Sequence, residues 1–447
     1  MKVAFRKVVI FILVLFFFTF LRGTLLMLIP LLPALLYIIF PFRLKKQIIP
    51  IFLLSLISSG YGVLFGYNNF ENVIFSIILL FSVLMIAFSS PVNLGTKPII
   101  KDWNNLLSYT LKVVFVFMFI NNSLGIIQYF LNPFNHYPQE DAFIGIYGRH
   151  GIAHHGLAIL NGYFVLFYVS QLVSAEKRQA KKAKNIILLL YFSLSHFLCF
   201  YGLGLIILLL SIVIYTLIKS LSVKLFFKLA FIGTGIIFIF SYFFSDVYSY
   251  MTENINYLTV LFSDFDYDSV YIPGKIRAWI RYFTDFVGEE LGLVLFGTGP
   301  GGFNSRVSFL LNSDSSNLFV KIFGTSMPAF HDTLIHPLWD MSIISMDKYN
   351  DGSRNQPFSS LLSLTSEYGI IFTITLFVML KKEINRVSEL IEDNRLKGFI
   401  ILSVIYIFLN VIFDNFIEFS EFWVFIVFLF FLKIHTIVRE SESSIRS

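Results

Sequence analysis

The residues best suited to chemistry fall between positions 149 and 369, and most are arginines, glycines and histidines. In "PGKIRAWIRYFTDFVG" (273–288), Arg277, Arg281 and Asp285 recur every four residues, one face of a helix. The segment reads as an amphipathic helix over about 275–287. Ile276, Ile280, Phe283 and Val287 form its apolar stripe, Pro273 precedes it and Gly288 caps it. Two guanidiniums would then project side by side. Their forked donors match phosphate oxygens bidentately, so the pair suits a diphosphate. A solvated face with an Arg281–Asp285 pair is the other reading.

"LFGTGPGGFNSR" (295–306) follows directly. Its glycines, Gly299 and Gly301 among them, let backbone N–H groups approach an anion, and Arg306 closes the stretch. The Lys-Ser/Thr pair of a nucleotide-binding P-loop is missing, which leaves a tight turn or a cradle for another anion. Candidates for a general base are His154, His331, His336 and Glu367. Glu367, in "SLTSEYG", lies inside an apolar block, where a carboxylate is costly unless paired or in a polar cavity. Two readings follow, a functional carboxylate or a structural pair with an arginine, and Asp414 and Asn410 invite the same two. His150 and His154 are four apart, but the glycines of "RHGIAHHG" break a helix and no thiol or carboxylate completes a metal set; no metal is expected.

These groups need a scaffold, and the composition names it. Of 447 residues, 56% are hydrophobic and only 14% are charged, too little charge for a soluble chain of this length. The apolar residues come in blocks of roughly 15 to 22, the length that spans a bilayer. The expected fold is an all-α polytopic membrane protein of about twelve spans: 8–21, 25–42, 48–67, 73–90, 113–131, 157–173, 186–199, 203–218, 229–245, 358–380, 399–414 and 420–435. With both termini cytoplasmic, the inside segments hold 25 of the 34 Lys and Arg and the outside ones nine, in keeping with the positive-inside rule. The basic run "SAEKRQAKKAKN" then anchors topology and does not bind nucleic acid. Cys199 is the single cysteine, so no intramolecular disulfide can form.

The expected organisation has three parts: spans one to nine over 1–245 with an outer loop at 132–156, a large partly helical outer loop at 246–357, and spans ten to twelve with the tail over 358–447. Long loops between membrane helices tend to carry function. The rare outside arginines concentrate in these two.

The order Arg277, Trp279, "LFGTGPGGF", then "NQPFSSLLSLTSEYG" leading into a span, resembles the O-antigen polymerase and O-antigen ligase superfamily. "GIYGRHGIAHHGLAILNGY" resembles that superfamily's earlier region, with Arg149 at its basic position. Ten residues separate Arg277 from Gly288 and Arg281 from Gly292, similar to the polymerases' arginine-to-glycine motif. Ligases carry His-Asn just before the late span. Here Arg354-Asn355-Gln356-Pro357 stands there, which favours a polymerase.

The resemblance implies a bacterial inner-membrane glycosyltransferase. It would join oligosaccharide repeat units carried on undecaprenyl diphosphate at the outer face, without metal or other cofactor. Catalytic roles fall to Arg277, Arg149, Glu367, His331 and His336. Substrate contacts fall to Arg281, Arg306, His154, Gly299, Gly301, Arg354 and Asn355. Its partners would be the lipid-linked oligosaccharide, the bilayer and a chain-length regulator protein, and no nucleic acid. A ligase acting on lipid A-core, or a lipid-linked sugar flippase or transporter, are the alternatives.

Overall fold

The computed structural model describes residues 42–91, 97–131, 143–147, 153–173, 179–219, 274–305, 307–309, 326–339 and 357–418, with isolated positions and short stretches besides. The described chain is almost wholly helical. Two three-residue strands, β1 (Phe42–Leu44) and β2 (Ser89–Pro91), pair antiparallel. Between them lie α1 (Ile48–Leu64) and α2 (Phe70–Ala87). Then come α3 (Lys97–Leu131), α4 (Ala153–Val173), α5 (Gln179–Phe197) and α6 (Gly202–Ile218). The later helices are α7 (Gly274–Arg281), α8 (Leu291–Phe296), α9 (Ser360–Glu367), α10 (Gly369–Leu390) and α11 (Asn394–Phe413).

Four helices, Phe70–Ala87, Ser108–Leu131, His155–Val173 and Asn394–Phe413, are long and apolar enough to cross a membrane. Ile48–Leu64, Ala183–Phe197 and Gly202–Ile218 are shorter apolar helices. The expected spans 8–21, 25–42 and 229–245 lie outside the described residues, apart from single positions.

Two boundaries differ from the hydropathy reading. The segment 97–112, read as a cytoplasmic loop, is the first part of α3, because hydropathy marks only the apolar stretch of a helix that continues past it. The span read as 358–380 is broken: α9 ends at Glu367 and α10 starts at Gly369, whose φ is +82°.

By packing, the chain forms two units that alternate along the sequence. One comprises Met1–Tyr109, Phe265–Leu390 and Val411–Ser447; the other comprises Thr110–Asp264 and Ile391–Asn410. In the first, Ala278, Tyr282, Phe286, Leu293, Phe303, Ile335, Leu338 and Leu362 make one buried apolar cluster. It ties α7 and the glycine-rich stretch to α9. In the second, Phe164, Phe192 and Tyr168 stack between α4 and α5, with ring centroids 4.4 and 5.9 Å apart.

Candidate functional site

The arginine helix forms where it was expected but presents a different face. After α7, Tyr282–Phe286 make a π-turn and Val287–Glu289 a last helical turn. Its buried side is Gly274, Ala278, Tyr282 and Phe286, not the expected stripe; Phe283 is 64% exposed. An α-helix drifts out of register at a spacing of four. The wider π-turn, with i→i+5 bonds, keeps Tyr282 and Phe286 on one face. Phe286 meets Phe303 of the glycine-rich loop with centroids 4.9 Å apart. Arg277 and Arg281 are both partly buried. Arg281 Nη1 donates to Leu334 O at 2.9 Å, so the helix is pinned to a second π-turn, His331–Ile335.

The loop after α8 runs as alternating left-handed glycines, with φ of +77° at Gly297, +87° at Gly299 and +80° at Gly301. At Gly297 a side chain is impossible for a second reason. A Cβ there would lie 2.3 Å from Glu367 O, and one on Gly369 would lie 2.2 Å from Leu295 O. The two glycines let the loop press against the break between α9 and α10. The carbonyls freed at that break are taken up: Thr298 N–H donates to Ser366 O and the Ser58 hydroxyl donates to Glu367 O, both at 2.8 Å. Asn68 steadies the loop from the other side, its Nδ2 donating to Gly299 O (3.0 Å) and Pro300 O (2.8 Å).

This loop does cradle an anion, and the anion belongs to the protein. The carboxylate of Glu367 accepts from Gly301 N–H on one oxygen (2.7 Å). Its other oxygen accepts from Phe303 (3.1 Å), Asn304 (2.8 Å) and Ser305 (2.7 Å). Four backbone N–H bonds offset part of the desolvation of a side chain that is 1% exposed. The Gly301 N–H is thereby engaged by Glu367.

His331 is bound to the same loop. Its Nδ1 lies 2.6 Å from Phe303 O, and a carbonyl only accepts, so Nδ1 carries the proton and Nε2 keeps a lone pair. Nε2 is buried and has no partner among the described residues. Burial pushes the ring down from its ordinary 6.5 to about 4, so it is neutral near pH 7. Phe309 holds the ring edge-on at 4.4 Å. His336, one turn on, is exposed.

Reading the sequence did not find three other members. Asn304 is fully buried, and neither side-chain polar atom has a partner among the described residues. Asn72 Oδ1 and Ser76 Oγ of α2 are also buried without one. Groups left so are where a ligand or ordered water is expected. An asparagine in "GGFNSR" and polar residues in an apolar span are the only signals that could have pointed to them.

Of the expected residues, the structure brings Arg277, Arg281, Gly299, Gly301, His331, His336 and Glu367 into one packed unit. His154 lies in the first turn of α4, in the other unit. Arg149, Arg306, Arg354 and Asn355 lie outside the described residues. Asp414 pairs with Lys275 of α7 at 3.2 Å, and Asn410 Nδ2 donates to Tyr406 O at 2.8 Å. Among the described residues, no group of three or more His, Cys, Asp or Glu is set to hold a metal.

No known family model matches the chain, and no curated protein matches it.

Proposed function

We propose that the protein is an O-antigen-type polysaccharide polymerase of the bacterial inner membrane. In this reading it has about twelve spans with both termini cytoplasmic, and 246–357 face outward. It elongates a glycan by glycosyl transfer between repeat units on undecaprenyl diphosphate. The acceptor hydroxyl attacks the anomeric carbon of the donor, the new glycosidic C–O bond forms, and the C–O bond to the diphosphate breaks. The acceptor proton passes to His331 Nε2, and the lipid diphosphate leaves with its charge held by Arg277 and Arg281; the family resemblance gives Arg149 a catalytic role as well.

One observation carries the reading. A neutral histidine with an unpartnered Nε2 sits on the loop that packs against the arginine helix. A base and preorganised cations in one folded unit are what this transfer needs. The four amide bonds to Glu367 support a positioning role for that carboxylate, as the group that sets the loop to which His331 is hydrogen-bonded.

The test uses purified protein in EDTA with lipid-linked repeat units as sole substrate. A ladder of longer glycans supports polymerisation. Transfer only to an added lipid A-core acceptor would indicate a ligase. Movement of lipid-linked sugar across vesicles with no new bond would indicate a flippase.

A further inference from the structure

A pocket beside the Glu367 cradle shares Glu367, Ser305 and Ser76 with the candidate site but has no part in the proposed transfer step. On α9, Ser360, Ser363 and Glu367 fall at i, i+3 and i+7, one face of the helix. With Ser76 of α2, Ser305 of the loop, and Asn415 and Glu418 beyond α11, they line an internal pocket.

Its wall is rich in acceptors and poor in donors. The Ser363 hydroxyl donates to Ser359 O (3.0 Å), and that of Ser360 to Asn415 Oδ1 (3.2 Å). Asn415 Nδ2 donates to Glu418 Oε2 (2.7 Å). These protons are taken up by the protein; Ser360 Oγ also accepts from Ile417 N–H (3.0 Å), and Ser305 Oγ bonds Ser308 Oγ (3.0 Å). The Glu367 oxygen that meets Gly301 takes a single backbone N–H. Ser76 Oγ, on a residue 5% exposed, has no partner among the described residues. Among the described residues, the lining holds two carboxylates and no cationic side chain. Lys275 is held by Asp414. The pocket reaches the C-terminal end of α9, where the helix dipole is negative and the helix is interrupted.

We propose that this pocket binds a monovalent hard cation, Na⁺. Hydroxyl, amide and carboxylate oxygens are the ligands of a hard cation. Interrupted membrane helices commonly coordinate Na⁺ at such half-helix ends. Four N–H groups already offset the Glu367 charge, so the residual field suits one positive charge and not two. Bound Na⁺ would tie α2 to the break between α9 and α10, on which the glycine-rich loop rests. The inference does not depend on the polymerase reading, because its readout is binding.

The test is thermal unfolding of the purified full chain in detergent, at constant ionic strength, with NaCl exchanged for choline chloride. The expected result is a Tm that rises saturably with Na⁺, and a rise that is lost in Ser76→Ala and in Ser363→Ala but kept in the exposed-site control Thr284→Ala. Each variant is compared with itself in the two salts, so a less stable variant still reports. Identical Tm values in NaCl and choline chloride would overturn the proposal and leave water as the occupant. A sodium-dependent rise of full size in both serine variants would overturn it as well.

Discussion

Two buried histidines, one in each packing unit, share their hydrogen bonding and differ in what surrounds them. His331 Nδ1 is bound to Phe303 O at 2.6 Å, and His196 Nδ1 to Ala158 O at 2.7 Å. His196 sits in α5, its ring also facing the backbone of Gly204. Around it are neutral groups: Cys199, whose thiol donates to Ser195 O (3.1 Å), and Asn161, which bonds Asn122 at 2.7 Å. The π-turn of His331 contributes Ile335 to the apolar cluster that holds the helix bearing two arginines, and the carbonyl partner of His331 lies in a loop fixed by a carboxylate. A histidine tied to a carbonyl is thus not by itself a base. Both Nε2 atoms are buried without a partner among the described residues, so what separates the two is the arginine-bearing helix pinned to the π-turn of His331.

The strongest way to break this comparison is to remove each ring. His331→Ala is expected to lower transfer by about a hundred- to ten-thousand-fold at unchanged protein level. His196→Ala is expected to lose about 1–3 kcal/mol of stability with unchanged activity per folded molecule. Equal losses of activity in single-turnover assays would erase the distinction.

Glu367→Gln sharpens it next. The amide replaces one acceptor oxygen with a donor that must face backbone N–H groups. Stability should fall by about 3 kcal/mol, since buried donors are left unsatisfied. Hydrogen exchange at 301–305 should rise first. Full protection at those amides in the variant would show that the cradle does not need the charge.

A smaller effect is set by pH. His331 titrates near 4 in the folded protein against 6.5 when free. Above 6.5 both states are neutral. Between 6.5 and about 4 the unfolded chain takes up the proton and the folded one does not, so stability falls as pH falls and levels off below 4. His331→Phe should flatten that part of the stability curve, and an unchanged slope would mean another group causes it.

A further contrast separates the expected face of the arginine helix from the observed one. Phe286→Ala should cost about 3–5 kcal/mol, and Phe283→Ala, at an exposed site, within about 0.5 kcal/mol. Chemical denaturation of the two variants measures both, and the reverse order would restore the stripe read from sequence.

Those same residues show what was legible. The 3.6-residue period gave the helix near 275–287, but the expected cap Gly288 lies inside its last turn, which runs Val287–Glu289 with Glu290 as its C-terminal cap. The period could not give the buried face, because a π-turn leaves no mark in a spacing rule. Hydropathy located apolar stretches well. It missed the break at Tyr368, which is made by contact between Gly297 and Gly369, 72 positions apart in the chain. The anion-cradling character of "LFGTGPGGF" was readable from glycine content, but the identity of the anion depended on Glu367 arriving from a distant helix. Asn304 and Ser76 carried only the faint signal of a polar residue in a glycine-rich stretch or an apolar span, since being unpartnered is a property of packing.

The central claim is that arginine forks and a neutral histidine together drive polymerisation, and the elongation assay on Arg277→Lys tests it most directly. Lysine keeps the charge and loses the bidentate fork. The account predicts a loss of roughly a hundred- to a thousand-fold in the rate of ladder formation. The variant should keep normal protein level and bind repeat units normally, and Lys321→Ala should leave the ladder intact. A normal ladder from Arg277→Lys, and from Arg277→Ala at the same protein level, would contradict it.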